Sequence, residues 1–392
     1  MEKIRFGIIG AGNQGTLYSQ KIFGRGQIDN GVVTAICDTN PNKLEILKGK
    51  LNDDSIAWFT DYIEMLDSGL CDAILVETPH YEHPVIVKEC LARNIHVLCD
   101  KPAGVYTKQV KEMNAAAARS DKLFGMMFNQ RSNPIYRQMQ QMVADGDLGE
   151  IKRVNWIITN WYRSQNYFDI GGWRATWKGE GGGVLFNQCP HQIDLLQWIV
   201  GMLPTKIHAH CHFGKWHDIE VEDDVTAYME FPNGATGVFV TSTADAPGTN
   251  RFEITGTRGR LVCENDQLMF DRLKVDEREF CRTARAFVDP EYRTCEIVTL
   301  GSNDQHVGII NNFANAILGV EPLFVKGEEG IKSVQMMNAM LLSTWLDRAI
   351  ELPIDDELYL KELNRRIAES TVVKKDTPDV VLDISGSYGG VK

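Results

Sequence analysis

Few folds admit the order of residues at the start of this chain. Lys3 to Ile9 reads as a short buried strand. Gly10-Ala11-Gly12-Asn13-Gln14-Gly15 follows at once, and an apolar helical pattern opens behind it. A G-x-G-x-x-G turn carries meaning only in this context, with a strand before and a helix after. Gly10 permits the tight turn, Gly12 lets the backbone approach a pyrophosphate, and Gly15 lets helix and strand pack closely. The helix start, with Asn13 and Gln14, then presents amides and a positive dipole end to phosphates.

A second apolar strand, Val32 to Cys37, ends in Asp38. A carboxylate there accepts hydrogen bonds from an adenosine ribose. Thr39-Asn40-Pro41 follows, with no Arg to neutralise a 2′-phosphate, which favours NAD over NADP. Asp, Thr or Asn before Pro41 also suits a helix N-cap, and the two roles are compatible.

The first third goes on alternating strands and helices. Helices are expected near 41–51, 62–66, 83–93 and 107–120. Strands are expected at 57–59, 72–77, 95–99 and 123–128. That order implies right-handed crossovers and a doubly wound parallel sheet. Ligands bind beyond the carboxyl ends of such strands. The loops at Gly10–Gly15, Asp38, Thr78–His80, Cys99–Pro102 and Phe128–Arg131 are therefore expected to converge on one crevice. Near 150 the pattern becomes β-rich, with strand-like stretches at 151–157, 206–213, 224–231, 236–243, 251–255 and 260–263. Pro232-Asn233-Gly234, Pro247-Gly248 and Arg258-Gly259 mark turns between them. The fold class is α/β: an N-terminal Rossmann sheet, then a C-terminal α/β domain with a large open, mainly antiparallel sheet. The expected divisions are 1–128, 129–369 and a polar arm or tail at 370–392.

A chain of 392 residues suits two cores. A formal net charge of −12 argues against nucleic-acid binding. No apolar run approaches the ~18 residues of a membrane span, and a chain that enters its first strand at once has no room for a signal peptide. Nine cysteines are scattered without a C-x-x-C pair, and those in expected buried strands, Cys37, Cys99, Cys211 and Cys263, read as reduced core residues of a cytoplasmic protein.

Two segments carry chemistry. Asp100-Lys101-Pro102 lies just past a strand at the expected crevice, with Lys101 held extended before proline. Its ammonium suits a phosphate or an oxygen beside a nicotinamide, unless it is an ordinary loop lysine. Gly181-Gly182-Gly183 precedes a run containing Asn187, His191 and Asp194. Asn187 and His191 share a helix face if the helix starts that early. His191 suits proton transfer from a hydroxyl, with Asp194 placed to orient it, or is simply a buried histidine. Asn160 to Arg163 and Trp173 to Lys178 flank this run, and their aromatic faces and cations suit sugar rings and carboxylates. Trp173, Arg174 and Trp177 are expected at the ligand, and Trp156 in the core. His208, His210 and His212 alternate along one strand at a spacing that suits metal ligands, and Glu220 to Asp224 read as a solvated acidic turn.

Taken in order, the glycine turn, Asp38, Thr78-Pro79, Asp100-Lys101-Pro102, Asn129-Gln130-Arg131, Gly149-Glu150 and the glycine run with His191 and Asp194 resemble the Gfo/Idh/MocA family of nicotinamide-dependent sugar and polyol oxidoreductases. The resemblance spans about 3–354 and departs from the family's usual Glu-Lys-Pro at Asp100, and from its usual Asp at Asn187. It implies NAD bound by Gly10, Gly12, Asn13, Gln14, Gly15, Asp38, Thr78, Pro79, His83, Asp100, Lys101, Pro102 and Asn129. It implies Lys101 and His191 as catalytic residues, with Asn187 in the partner position. Lys101, Arg131, Arg163, Trp173, Arg174, Asn187 and His191 are the expected substrate contacts. The implied reaction oxidises a secondary ring hydroxyl of a sugar, glycoside or cyclic polyol, or runs in reverse. Relatives also include redox-neutral glycosidases that use NAD transiently, and NAD-binding regulators without activity. Retention of Lys101 and His191 argues against the last. No metal is implied, and the open sheet face is expected to pair subunits into a homodimer or homotetramer.

Overall fold

The computed structural model describes residues 3–374, so the expected tail from 375 onward lies outside the described residues. Six parallel strands form the first sheet: β1 (Ile4–Ile9), β2 (Gly31–Cys37), β3 (Ala57–Phe59), β4 (Ala73–Val76), β5 (His96–Cys99) and β6 (Phe124–Met126). Their order is β3-β2-β1-β4-β5-β6, the dinucleotide-binding order, with its switch point between β1 and β4. Helices cover both faces, so the central strands are apolar throughout; every residue of β4 is buried.

The second sheet holds β7 (Ile151–Ile158), β8 (Lys206–Phe213), β9 (Glu222–Glu230), β10 (Thr236–Ser242), β11 (Asn250–Gly256), β12 (Gly259–Glu264), β13 (Gln267–Leu273), β14 (Tyr292–Glu296) and β15 (Ile350–Glu351). Their order is β14-β13-β12-β11-β7-β10-β9-β8-β15. Neighbours are antiparallel except β7 and β10, which run parallel. One face is covered and one is open, so burial alternates along the strands. Trp156 points to the covered face, fully buried and stacked on Phe252 with ring centres 4.2 Å apart. The helices Pro190–Val200 and Gly330–Leu346 pack beneath, and the first is buried nearly all round.

Three differences from the sequence reading have local causes. The helix behind the glycine turn is α-helical only over Asn13–Leu17, then widens to a π-helix over Tyr18–Phe23. Ser19 Oγ donates to the carbonyls of Gly15 and Thr16 at 2.8 and 3.2 Å, the back-bonding that distorts helices. β14 carries no apolar pattern because all five of its residues are exposed. The chain also returns to the first half after the second sheet. Asn311 donates to the Gln27 carbonyl at 2.9 Å, and Lys326 bridges to Gly125 beside β6.

Candidate active site

The carboxyl ends of β1, β2, β4 and β5 open into one cleft of about 1000 Å³, which runs on to the helix Pro190–Val200. The three glycines each do something different at its floor. Gly10 has φ +106°, and a Cβ there would lie 2.5 Å from the Glu77 carbonyl oxygen. A Cβ on Gly15 would lie 1.9 Å from the Gly10 carbonyl oxygen, so helix and turn touch through bare backbone. A Cβ on Gly12 would meet nothing within 4 Å, because Gly12 faces the open cleft. Asp38 accepts from the amides of Ala11 and Asn40 at 2.8 and 2.9 Å, one on each oxygen. Each oxygen keeps a lone pair for a hydroxyl. Asn40, by accepting from the Asn42 amide at 3.0 Å, takes the N-cap role and leaves Asp38 to the cleft.

At the far end stand Lys101 and His191. Lys101 Nζ donates to the Asn187 carbonyl at 2.8 Å. Burial lowers its pKa, against the opposing pull of Asp100, with Arg174 adding to the lowering and Glu180 opposing it. His191 is 5% exposed, and neither ring nitrogen has a hydrogen-bond partner. Burial, then the charge of Lys101 and the neighbouring His306, holds its pKa well below the usual imidazole range. It is therefore a neutral base in contact with a cleft. The Asn187 side chain donates to Glu180 Oε1 and accepts from the Tyr167 hydroxyl at 2.9 Å. Arg174 donates to that same hydroxyl at 2.6 Å.

The oxidoreductase family described by its NAD-binding Rossmann fold matches residues 4–128, and the GFO/IDH/MocA C-terminal domain matches 136–262, together more than half of the chain. The chain belongs to the Gfo/Idh/MocA family. It is 23% identical over 356 residues to myo-inositol 2-dehydrogenase of Thermotoga maritima, covering 89% of this chain and 98% of that one. It is 27% identical over 251 residues to D-glucoside 3-dehydrogenase of Escherichia coli, covering 59% of this chain and 68% of the other. In fold it resembles the WlbA dehydrogenase of Bordetella pertussis, solved with NADH and UDP-GlcNAcA: TM-score 0.76 at 24% identity, covering 91% and 99% of the two chains. NAD is the cofactor of this Rossmann domain, and the cleft fits it. Gly12 leaves open space for a phosphate, Asp38 keeps acceptors for a ribose, and the buried Thr78 hydroxyl lacks a partner in the same cleft.

The residues expected at the site divide into two groups. Gly10, Gly12, Asn13, Gln14, Asp38, Thr78, Pro79, Asp100 and Lys101 line the cleft, as do Arg163, Trp173, Arg174, Asn187 and His191. Gly15 lies behind the turn it supports. The others are placed elsewhere. His83 sits behind the wall, its two ring nitrogens 2.7 and 2.8 Å from the carbonyls of Pro102 and Thr78, and so ties those two loops together. Asn129 is buried and donates to Gln305 at 2.6 Å. Arg131 does not reach the cleft: its guanidinium forks onto Asp194 with two 2.7 Å bonds, between the rings of Phe128 and Trp198. Asp194 is thereby committed to Arg131 and does not orient His191. Trp177 is buried edge-on against Phe213 and Trp345. Within the acidic turn, Glu222 is buried and accepts from the amides of Gly183 and Leu185 at 2.8 and 3.1 Å, fixing the glycine run. The rings of His208 and His210 lie side by side, tilted at 39° with centres 5.3 Å apart, and among the described residues no three His, Cys, Asp or Glu form a metal cluster. No described helix is long and apolar enough to cross a membrane.

The sequence reading missed Glu77, Glu180, Tyr167 and Gln188. Glu77 and Gln188 line the cleft with unpartnered buried oxygens. Glu180 carried a usable signal, since a carboxylate directly before three glycines has no reason to be a surface charge. Tyr167 lies on the short helix Gln165–Asp169, whose sequence carries none.

Proposed function

We propose that this protein oxidises a secondary ring hydroxyl of a sugar, glycoside or cyclic polyol, with Lys101 and His191 as its catalytic residues. The observation that carries the reading is His191: a buried, neutral imidazole with both nitrogens unpartnered, in the same cleft as the Lys101 ammonium. Bound NAD supplies the hydride acceptor, or the donor in the reverse direction. Lys101 gives one N–H to the Asn187 carbonyl and keeps two for the substrate oxygen, whose developing negative charge it stabilises. His191 takes the hydroxyl proton. Burial and the Lys101 charge keep its pKa well below the usual imidazole range, and Asp194 pairs with Arg131 rather than with this imidazole. Glu180 fixes the Asn187 amide and so the carbonyl that Lys101 leans on.

The outward face of the second sheet is the surface we assign to self-association. Tyr228 pairs with Val238 across β9 and β10, and Val240 with Ile157 across β10 and β7. Light scattering on the purified chain reads the oligomer. The reaction is tested by following NADH across cyclitols, free sugars, glycosides and sugar acids, with NADP in parallel. A clear rate with NAD and one of these classes is the expected result. Aglycone release without net NADH would contradict it and indicate redox-neutral elimination.

A further inference from the structure

Beyond Lys101 and His191, the cleft holds a cluster of side chains rich in free donors, with the Gln188 side-chain oxygen as an acceptor beside them. Tyr167 stands at its centre. The guanidinium carbon of Arg174 lies 4.8 Å from the Tyr167 ring centre and that of Arg163 lies 5.2 Å from it, so two cations flank one ring. Neither makes an ion pair with a carboxylate among the described residues. Arg163 uses one nitrogen on the carbonyls of Tyr162 and Trp161, and Arg174 uses one on the Tyr167 hydroxyl. The other nitrogens of both forks remain for a ligand. The indole N–H of Trp161 is buried beside Arg163, lines the same cleft and donates to nothing. The Tyr167 hydroxyl adds no acceptor: it already receives Arg174 and Gln188 and donates to Asn187.

Two guanidinium forks without a carboxylate partner among the described residues, with a free indole N–H beside them, match a group that accepts on several oxygens at once, a carboxylate or a phosphate. Charge points the same way. A chain of net charge −12 gathers Lys101, Arg163 and Arg174 at the substrate end of the cleft, with Asp100 and Glu180 acting on Lys101.

We propose that the substrate carries an anionic substituent held between Arg163 and Arg174, and that sugar acids or phosphorylated sugars are preferred to neutral glycosides. Asn187 links this seat to the reacting end, accepting from Tyr167 on its side chain and from Lys101 on its carbonyl. The anion and the reacting hydroxyl therefore belong to one small molecule. The inference rests on the dehydrogenase reading of the cleft.

The test compares methyl glucoside, methyl glucuronide and glucose 6-phosphate by NADH formation, and by calorimetric titration of each onto the NADH-loaded protein. At least one anion is expected to exceed the glucoside about tenfold in kcat/KM and in affinity, as charge-assisted bonds do. Which one it is separates carboxylate from phosphate. Arg163→Gln and Arg174→Gln shrink that ratio toward one, mainly through KM, while Arg163→Lys and Arg174→Lys restore part of it. Added salt shrinks it as well. A glucoside bound and turned over as well as either anion, with a ratio unmoved by the variants, overturns the anion seat and leaves the dehydrogenase standing. NADH from none of the three, with calorimetry still ranking an anion first, removes the dehydrogenase and keeps the seat.

Discussion

Asp194→Asn separates a structural carboxylate from a catalytic one. Arg131 is 1% exposed and holds Asp194 through two 2.7 Å bonds. Gln197 donates to the same carboxylate at 3.1 Å, and Glu329 reaches Arg131 at 3.0 Å from a partly exposed position. Removing one partner of a buried ion pair costs roughly 3–5 kcal/mol, because the other charge is left without compensation. Glu329 stays, so the loss belongs at the lower end, about 3 kcal/mol. For a cooperative unit of about 150–250 residues that lowers Tm by roughly 6–12 °C. The assay is thermal unfolding of variant and wild type side by side, with the pH dependence of kcat/KM measured on both. The acid limb of that profile is expected to stay in place, since Asp194 faces Arg131 and not His191. A Tm within about 2 °C of wild type, with the acid limb moved, would refute the assignment.

Other perturbations follow from single contacts. Gly12→Ala meets open space and is expected to keep Tm while weakening NADH binding, read by nicotinamide fluorescence; Gly15→Ala, blocked by the Gly10 carbonyl, is expected to lower both. Burial raises the Glu222 carboxyl to about 8, so the folded chain holds a proton that the unfolded chain releases near its ordinary pKa of 4.5. Stability therefore falls as pH rises between those values, by about 1.4 kcal/mol per unit, and levels off above them; Glu222→Gln is expected to flatten a Tm series taken across that window. His191→Gln is expected to lower kcat/KM by roughly 10²–10⁴ and to erase its acid limb, which in the wild type lies below the ordinary imidazole range.

The first sheet was legible because its strands are short, largely apolar runs and the loops after them carry turn or cap residues. The places of the glycine turn, Asp38 and Lys101 on the cleft were legible because they follow from backbone position at strand ends. The second half was harder. Strand alternation showed most of its sheet, but the β7–β10 pairing is parallel, and no strand sequence reveals which neighbour it takes. β14 is solvent-exposed and carries no pattern. The residues placed away from the cleft are charged or polar groups next to ones that line it: Arg131 follows Gln130, and Asp194 follows His191 by three positions. Their partners, Glu329 for one and Arg131 for the other, come from distant segments, so only the fold decides between ligand and buried pair. Glu180 and Tyr167 were missed on the same ground, since their importance lies in contacts with Asn187 and Arg174.

The central claim is that Lys101 stabilises the oxygen of a ring alcohol as hydride leaves for bound NAD. The most direct test is NADH formation by Lys101→Ala on the best substrate of the wild type, with NADH binding measured on the same preparation. A loss of roughly 10²–10³ in kcat with NADH still bound is the predicted result. Turnover at the wild-type rate would contradict the account.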